Sequence, residues 1–432
     1  MKILFTNVTG VTMDDANPNL TQGFVATDDG VISYVGSDRP TGDFDEVIDC
    51  TDKIMMPGLI NAHTHLPMSI LRSYGGGHNL QDWLEKFIFP AEAKFDGKCV
   101  KLGTALSIAE LLQYGVTCVA DMYSFCDEIA DVVAESGISA NLSRGIICFD
   151  PEANPLELEG MRETLDCVEK WHGYDNGRIK FDLSLHGEYT SFLIPKLWEE
   201  MAKLAKERDL GMHIHISETK SEHEDCLARH NTTPLQIFDK HKVWDNGGIA
   251  AHCVWCEDED FALMAKKGIS PIHNPVSNLK LGSGVARVPE MLAAGVNVAI
   301  GTDGVSSNNN HDLLEEVKLA AILHCGVKLN PTAITPKQCL AMATVNGARA
   351  LKRNTGVIAV GKDADIVLLD GTAPALTPCH DVLENIVYSA NGSHVCLTMC
   401  RGKVVYRDGK HLTLDLPAIR SELHEYVLPH VF

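Results

Sequence analysis

Short apolar runs alternate with amphipathic helical patterns through the central part of the chain. From Pro57 to about Ala350 the same order recurs: a helical segment, a glycine, and an apolar strand, as at Gly115 before VTCVADM and Gly211 before MHIHIS. Helical spacing is clearest in residues 101–113, where apolar residues recur every three or four positions. A glycine after a helix favours the left-handed conformation that ends helices. The pattern predicts a repeated helix and strand unit.

Eight of these runs are apolar on both faces, which is typical of strands in a buried parallel sheet. They cover residues 54–62, 116–122, 138–149, 179–186, 210–216, 248–253, 268–273 and 296–302. Eight such strands, each separated by helical sequence, predict an α/β protein with a (β/α)8 TIM barrel. The active site of such a barrel lies at the carboxyl ends of its strands.

The two ends of the chain have a different pattern. Residues 1–53 and 356–410 alternate strand-like segments with turns, and their Asp-Gly pairs favour hairpins. Neither end is rich enough in apolar residues to form a stable domain alone. We therefore expect residues 1–56 and 351–432 to form one small composite β-sandwich, and residues 57–350 to form the catalytic barrel.

Composition narrows the possible partners. The chain has 37 basic and 58 acidic residues, so its formal net charge is 37 minus 58, or -21, which disfavours nucleic acid and anionic membranes as partners. The start of the chain lacks the pattern of a secretory signal, and no apolar run is long enough to span a membrane. We expect a cytoplasmic protein.

The 14 cysteines are scattered along the chain. Cys253 and Cys256 form a CxxC, but the second ligand pair of a structural zinc site is missing from the sequence, so we expect them to be packing residues.

Histidines at strand ends are the first indication of chemistry. His63 and His65 are two residues apart at the end of an apolar run, so a strand places both on the same face. His213 and His215 repeat this spacing in a later run, and Glu218 follows. Neutral imidazole nitrogens are ligands for zinc and similar metals. Two further runs end in single polar residues capable of metal binding or acid/base chemistry, namely His252 and Asp303.

The ordered set of motifs resembles the amidohydrolase superfamily. The segments that carry the resemblance are PGLINAHTH, HIHISE, AAHC, NPVSNLKLGSG, GTDGVSSNNN and GKDADIVLLD. Each is weak alone, but together they cover nearly the whole chain in a specific order. Within the superfamily the chain is most similar to the methylthioadenosine/S-adenosylhomocysteine deaminase group. The resemblance implies hydrolytic deamination of a 5'-substituted adenosine, such as 5'-methylthioadenosine, S-adenosylhomocysteine, adenosine or 5'-deoxyadenosine, to the inosine derivative and ammonia.

The resemblance also implies a metal site made of His63, His65, His215 and Asp303. One divalent ion per chain is expected, with zinc favoured and Fe²⁺ or Mn²⁺ as alternatives. Three neutral imidazoles and one carboxylate leave a net positive centre with an open position for water. Binuclear relatives use a lysine at the end of the fourth strand, where this chain has His186 instead. His213 is expected to pack behind the ligands.

Catalytic roles follow from the same resemblance. Glu218 is expected to move the proton of the attacking water to the ring nitrogen beside the attacked carbon. His252 is expected to hydrogen-bond the developing oxygen. Asp303 could also carry a proton to the departing amine. The alternative for Glu218 is a solvated residue at the start of a charged helix, and the alternative for Asp303 is a turn-shaping role.

Substrate recognition is expected from four residues that match positions in the deaminase group. Trp83 would pack on the nucleoside, Glu92 would accept hydrogen bonds from the ribose hydroxyls, and Arg144 and His186 would contact the ribose or the purine. Core packing of Trp83 and a structural ion pair of Arg144 are the alternatives. Where relatives have a second arginine for a homocysteine carboxylate, this chain has acidic residues, and Arg162 comes only later.

Other functions remain open at this stage. Within the enzymes, the alternatives are a deaminase of guanine, a pterin or cytosine, and a triazine chlorohydrolase. A non-catalytic scaffold is the remote alternative, since scaffolds of this superfamily lose the ligands that are present here. The expected partner is a small nucleoside substrate, and a homo-oligomer is compatible with the sequence.

Overall fold

The structure is a computed structural model that describes residues 1–78 and 80–432. Its strands are β1 (Lys2–Val11), β2 (Asn19–Asp28), β3 (Val31–Gly36), β4 (Glu46–Asp49), β5 (Lys53–Pro57), β6 (Leu59–Thr64), β7 (Val116–Met122), β8 (Ser139–Ser143), β9 (Ile179–Phe181), β10 (Leu183–Leu185), β11 (Met212–Ile216), β12 (Gly248–His252), β13 (Ile269–His273), β14 (Ala299–Ile300), β15 (Ile366–Asp370), β16 (Val395–Cys400), β17 (Lys403–Arg407) and β18 (Lys410–His411).

Helices separate most of the central strands, as the sequence pattern predicts. They are α1 (Leu80–Trp83), α2 (Phe89–Glu92), α3 (Gly97–Gln113), α4 (Cys126–Ser136), α5 (Glu159–Trp171), α6 (Tyr174–Gly177), α7 (Pro195–Arg208), α8 (Lys220–His230), α9 (Pro234–Lys240), α10 (Asp258–Lys267), α11 (Pro275–Lys280), α12 (Val288–Ala293), α13 (Leu313–Lys328), α14 (Pro336–Met342), α15 (Val345–Ala350), α16 (Val382–Tyr388), α17 (Leu416–Glu422) and α18 (Leu428–Val431). One π turn, Leu84–Ile88, joins α1 to α2.

Strands β6 to β14 form a closed parallel barrel, which confirms the predicted (β/α)8 fold. Its two sheets run in the orders β6-β7-β8-β9 and β10-β11-β12-β13-β14. Strands β9 and β10 are two halves of the fourth barrel strand, interrupted at Asp182. The Asp182 N–H donates to the Leu142 carbonyl at 2.9 Å, whereas the next N–H, of Leu183, donates to Gly211 at 2.9 Å, so the strand passes from one sheet to the other.

The barrel closes between β14 and β6. The Asp303 N–H donates to the His63 carbonyl at 3.0 Å, and the Thr302 N–H donates to Asn61 Oδ1 at 3.0 Å. Closure brings the carboxyl end of the last strand beside that of the first. Residues separated by about 240 positions in the sequence, such as Asn61 and Thr302, therefore meet at one end of the barrel.

Local sequence explains how the helices begin and end. Asp96 starts α3 because its carboxylate accepts the Cys99 N–H at 2.8 Å. Gly137 ends α4 in the left-handed conformation, with φ of 86°. The same role predicted for Gly211 was wrong, since α7 ends earlier and Asp209 takes the left-handed conformation, with φ of 53°.

Strands from both ends of the chain form one mixed sheet, in agreement with the predicted composite β-structure. Its order is β18-β17-β16-β15-β5-β1-β2-β3, with β4 parallel to β1. The edge strand β3 also bonds to the chain just before β15, through Ile32 and the Lys362 carbonyl at 2.8 Å. The sheet therefore curls around a small apolar core that includes Phe5, Ile366 and Leu368.

Several predicted strand boundaries need correction. The run at 54–62 is two strands, because the chain leaves the mixed sheet at Pro57 and enters the barrel at Leu59. Proline lacks an N–H for a sheet ladder, and Gly58 lies against Thr117, where a Cβ would be only 2.2 Å from Oγ1. The run at 138–149 forms a strand only over Ser139–Ser143, and that at 296–302 only over Ala299–Ile300.

The last helices pack on the barrel rather than in the mixed sheet. Lys98 of α3 pairs with Glu422 of α17 at 2.9 Å, and the Tyr426 hydroxyl donates to Asp96 at the start of α3. Lys94 Nζ donates to the Val431 carbonyl at 2.6 Å. None of the helices in the described ranges combines the length and apolar character needed to cross a bilayer.

Candidate active site

A pocket of about 940 Å³, including its open mouth, lies at the carboxyl ends of the barrel strands. Its lining includes residues from β7, β11 and β12, and from the chain after β6, β8, β10 and β14. The predicted site residues in this lining are His65, Trp83, Glu92, Arg144, His186, His215, Glu218, His252 and Asp303. Residues predicted from separate segments are thus assembled around one cavity.

The four predicted metal ligands lie close together, and all of them except His63 line this pocket. Ring nitrogens of His63, His65 and His215 all lie within 4.8 Å of one another. Asp303 Oδ1 is 3.4 Å from His63 Nε2 and 3.1 Å from His65 Nε2. The Asp303 carboxylate thus lies beside two of the three histidines, and it also forms a possible metal-binding group with His63 and His252.

Backbone carbonyls fix the orientation of two of these rings. His65 Nδ1 is 2.6 Å from the Met122 carbonyl oxygen, and His215 Nδ1 is 2.7 Å from that of His186. A carbonyl only accepts, so both Nδ1 atoms carry the proton and donate. In the neutral ring, the Nε2 lone pair then remains available for a cation.

A chain of hydrogen bonds orients His63. Its Nδ1 is 2.8 Å from His213 Nε2, and His213 Nδ1 is 3.1 Å from Ser143 Oγ. The Ser143 hydroxyl donates to the Asp121 carbonyl at 2.9 Å, so it accepts from His213, which in turn accepts from His63. His63 Nε2 is buried and has no hydrogen-bond partner in the described residues. An unpartnered buried lone pair is costly unless a ligand satisfies it, so the donor set fits a metal ion.

The electrostatics of the site agree with metal binding. Burial lowers the pKa of His63 to about 4 and holds that of His215 well below its usual range, so both rings are neutral. Burial alone would raise the pKa of Asp303, but the neighbouring rings of His63 and His65 hold it well below its usual range. Burial lowers the pKa of His65, but the hydrogen bond and charge of Asp303 raise it to about 9. The carboxylate of Asp303 thus favours a positive charge beside it, which a bound cation would supply in place of the His65 proton.

The second oxygen of Asp303 is held by serine hydroxyls. Oδ2 accepts from Ser277 Oγ at 2.6 Å and is 2.9 Å from Ser307 Oγ. Asp303 has a left-handed backbone, with φ of 62°, a conformation that asparagine and aspartate adopt more often than most residues. These contacts leave Oδ1 to face the histidines. The role of Asp303 as a proton carrier stays a prediction.

Glu218 and His252 lie beside the predicted metal ligands. Glu218 Oε2 is 3.8 Å from His252 Nε2, and Ser283 Oγ is 3.5 Å from Glu218 Oε1. Burial raises the pKa of the Glu218 carboxyl above its usual value. His252 Nδ1 is 2.9 Å from Asn278 Oδ1, which orients the ring. The alternative of a solvated Glu218 is wrong, because only 6% of this residue is exposed.

The predicted substrate residues form the pocket wall. Trp83 is buried, and its Nε1–H donates to the Tyr74 carbonyl at 3.4 Å. Arg144 pairs with Glu163, at 2.7 Å between Nε and Oε2. His186 Nδ1 is buried without a hydrogen-bond partner in the described part of the chain, and burial lowers the pKa of the ring to about 4. His186 is thus a neutral ring with hydrogen-bonding capacity left for a ligand.

Other predicted residues lie outside the lining. Arg162 is exposed on α5. Cys253 and Cys256 are buried free thiols, in agreement with a packing role.

Two neighbours of the site were not predicted from the sequence. Tyr123 donates its hydroxyl to Glu92, and Glu222 accepts the backbone N–H groups of Ser217 at 2.8 Å and Glu218 at 2.7 Å. The sequence contains a signal for Glu222, because this residue follows Thr219 by three positions, which is the spacing of a helix capping box. Tyr123 has no such local signal, since its partner belongs to a distant segment.

Comparison with known proteins decides the family. The sequence model of the amidohydrolase family matches residues 54–405. The chain belongs to this family. The structure of this amidohydrolase is similar to that of an adenosine deaminase from Xanthomonas campestris with bound zinc, with a TM-score of 0.93 and 32% identity over 99% of this chain and 98% of the other.

Two relatives extend the similarity over the full length. The amidohydrolase is 40% identical to the 5-methylthioadenosine/S-adenosylhomocysteine deaminase of Moorella thermoacetica, over 98% of both chains. It is also 40% identical to the 5'-deoxyadenosine deaminase of Methanosarcina mazei, over 97% of this chain and 96% of the relative. The resemblance found in the sequence is confirmed.

Proposed function

We propose that this amidohydrolase is a zinc-dependent hydrolytic deaminase that converts a 5'-substituted adenosine and water to the inosine derivative and ammonia. The observation that carries the proposal is the convergence of three imidazoles, one carboxylate and Glu218 at a pocket with the predicted nucleoside residues. Full-length relatives that are named as deaminases of such adenosines support the same substrate class.

We assign one metal ion to His63, His65, His215 and Asp303. Zinc is favoured by the nitrogen-rich ligand set and by the zinc-bound structural neighbour. The bound cation would supply Lewis acidity, which lowers the pKa of water to roughly 7. One ion is proposed because the fourth strand ends near His186, whereas Lys180 lies at its start and donates to the Lys352 carbonyl at 2.7 Å.

Glu218 is assigned to proton transfer. It takes a proton from the attacking water and gives it to the ring nitrogen beside the amino-bearing carbon, which makes that carbon electrophilic. A new carbon–oxygen bond forms. The proton of the resulting hydroxyl then passes to the amine, a transfer assigned to Asp303, and the carbon–nitrogen bond breaks as ammonia leaves and the carbonyl forms. A carboxyl whose pKa burial has raised suits this role, because it accepts a proton more readily than an exposed glutamate does. His252 contacts the developing oxygen.

Four residues are assigned to nucleoside recognition. Trp83 gives an apolar wall for the nucleoside, Glu92 accepts from ribose hydroxyls, and His186 offers its unpartnered nitrogen to the purine. Arg144 is held by Glu163 at the same wall. The acidic stretch 150–159, which replaces the second arginine of relatives, favours neutral 5' groups over a homocysteine carboxylate.

The test is a substrate screen of the metal-loaded enzyme. We expect about one zinc per chain, and release of ammonia with an ultraviolet change from 5'-methylthioadenosine, 5'-deoxyadenosine or adenosine. Chelation is expected to abolish turnover, and zinc to restore it. Turnover of guanine, a pterin, cytosine or a chlorotriazine, with none of the adenosines, would overturn the substrate class. A metal-loaded protein that turns over none of these compounds would favour the scaffold alternative.

A further inference from the structure

Tyr123 links the barrel to Glu92 on the segment that covers the pocket. Its hydroxyl donates to Glu92 Oε1, and both residues line the pocket. The backbone of Tyr123 belongs to the barrel, because its N–H donates to the Ser143 carbonyl at 3.0 Å. Glu92, in contrast, is the last residue of α2 in the segment between β6 and α3. The bond therefore ties a residue on an inserted segment to a fixed point at the end of β7.

The same bond sets the hydrogen-bonding capacity of Glu92. A carboxylate has two oxygens, and Oε1 is committed to the Tyr123 hydroxyl. No donor from the described residues is within hydrogen-bond reach of Oε2. Burial raises the pKa of Glu92, whereas the Tyr123 hydroxyl favours its ionised form. The Tyr123 hydroxyl thus holds Glu92 through one oxygen and leaves the other for a bound molecule.

We infer that Tyr123 is a positioning residue that makes this enzyme selective for substrates with ribose hydroxyls. Its hydroxyl holds Glu92 in the orientation in which the remaining oxygen accepts from the sugar. The inference rests on the proposed nucleoside deamination. It adds Tyr123 to the residues that determine substrate specificity. It also predicts that the effect of Tyr123 on kcat/KM depends on the ribose hydroxyls of the substrate.

The experiment compares Tyr123→Phe with the unmodified enzyme on two substrates, adenosine and 2',3'-dideoxyadenosine, which differ only in the ribose hydroxyls. We expect kcat/KM for adenosine to fall roughly 10-fold or more, the effect of a hydrogen bond to a charged group, with little change for the dideoxy compound. Tyr189→Phe is the matched control. Tyr189 also lines the pocket, but its hydroxyl does not bond Glu92, so any loss should be the same on both substrates.

A second comparison excludes a general structural effect. Tyr123→Phe combined with Glu92→Gln is expected to be no worse on adenosine than Glu92→Gln alone, because the two residues act as a unit. An equal loss on both substrates, or additive losses in the double variant, would overturn the inference.

Product binding gives a readout that does not need turnover. In calorimetry of the zinc-loaded protein, Tyr123→Phe should weaken the binding of inosine more than that of 2',3'-dideoxyinosine. If the unmodified enzyme binds both products equally, the inference fails. If it binds inosine but deaminates no adenosine derivative, the proposed function fails instead.

Discussion

His63 Nδ1 lies 2.8 Å from His213 Nε2, and this hydrogen bond joins the first barrel strand to the fifth. His213 accepts because its own Nδ1–H donates to Ser143 at 3.1 Å. The proton of His63 is thereby fixed on Nδ1, and its Nε2 lone pair is directed to the predicted metal site. His213 is not a predicted ligand, yet it determines which nitrogen of a predicted ligand is free.

The first prediction follows from this contact. His213→Phe keeps an aromatic ring of similar size but removes the acceptor, so His63 loses its fixed tautomer. We expect zinc affinity to fall roughly 10- to 100-fold, the usual effect of losing such a partner of a ligand. Competition with a chelator of known affinity measures the change. His380→Phe, at an exposed position, is the control. Equal zinc affinity in the two variants would contradict the role of His213.

A second prediction concerns the serine that holds Asp303. Ser277→Ala removes the 2.6 Å hydrogen bond to Oδ2 and leaves the carboxylate less constrained. We expect roughly a 10-fold loss of zinc affinity, measured by the same competition. Ser306→Ala is the matched control, because Ser306 is also buried but contacts Met68 Sδ rather than Asp303. If Ser306→Ala loses as much zinc affinity as Ser277→Ala, the effect does not come from the hydrogen bond to Asp303.

The turn that presents Glu218 gives a third prediction. Ser217 has a left-handed backbone, with φ of 48°, and Glu222 accepts the N–H groups of Ser217 and Glu218. Glu222→Gln replaces one accepting oxygen with an NH₂ donor, so one of these bonds is lost. We expect kcat to fall roughly 10- to 100-fold with little change in KM or zinc content, because small displacements of a catalytic group are costly.

Glu224→Gln is the control for this experiment. Glu224 is on the same helix but is exposed, and pairs only with Lys220 at 3.4 Å among the described ion pairs. Its kcat should match that of the unmodified enzyme. If Glu222→Gln raises KM and lowers zinc content in parallel with kcat, the hydrogen bonds to Glu222 stabilise the site in general and do not act specifically on Glu218.

The pH dependence of stability gives a fourth prediction, at a site far along the chain from the ligands. Asp365 is buried and accepts the Arg401 N–H at 2.7 Å, and burial raises its pKa from 3.8 to about 6. The folded chain therefore holds this proton more tightly than the unfolded chain. Below about pH 4 both states are protonated and the shift has no effect. As pH rises to 6, the folded state is progressively penalised, by roughly 3 kcal/mol at most.

Asp365→Asn should remove this penalty while it keeps an acceptor for Arg401. The difference in unfolding free energy between the variant and the unmodified chain, both metal-free, should shift in favour of the variant between pH 4 and pH 7. Denaturant titrations at several pH values measure it. If the difference in unfolding free energy is the same at all pH values, Asp365 is not the group that causes the pH dependence.

Much of the fold could be predicted from the sequence because its signals are local. Apolar runs separated by helical patterns predicted the barrel, and the two-residue spacing placed His63 with His65 and His213 with His215. Strand boundaries were less predictable. The run at 54–62 is continuous in hydrophobicity, but its two halves belong to different sheets, and that division depends on which strands lie beside it.

The sequence by itself determined which side chains could serve as ligands and that they lie at strand ends, since the periodicity of a strand is a property of its own backbone. Only the tertiary structure decided their roles. His63 and His213 are 150 positions apart, and His65 is 57 positions from the carbonyl that orients it. The same spacing therefore has different outcomes in the two strands. His63 and His65 are both predicted metal ligands, whereas in the other strand His215 is a predicted ligand and His213 supports His63. The barrel closure sets which ring faces the metal site and which ring lies behind it.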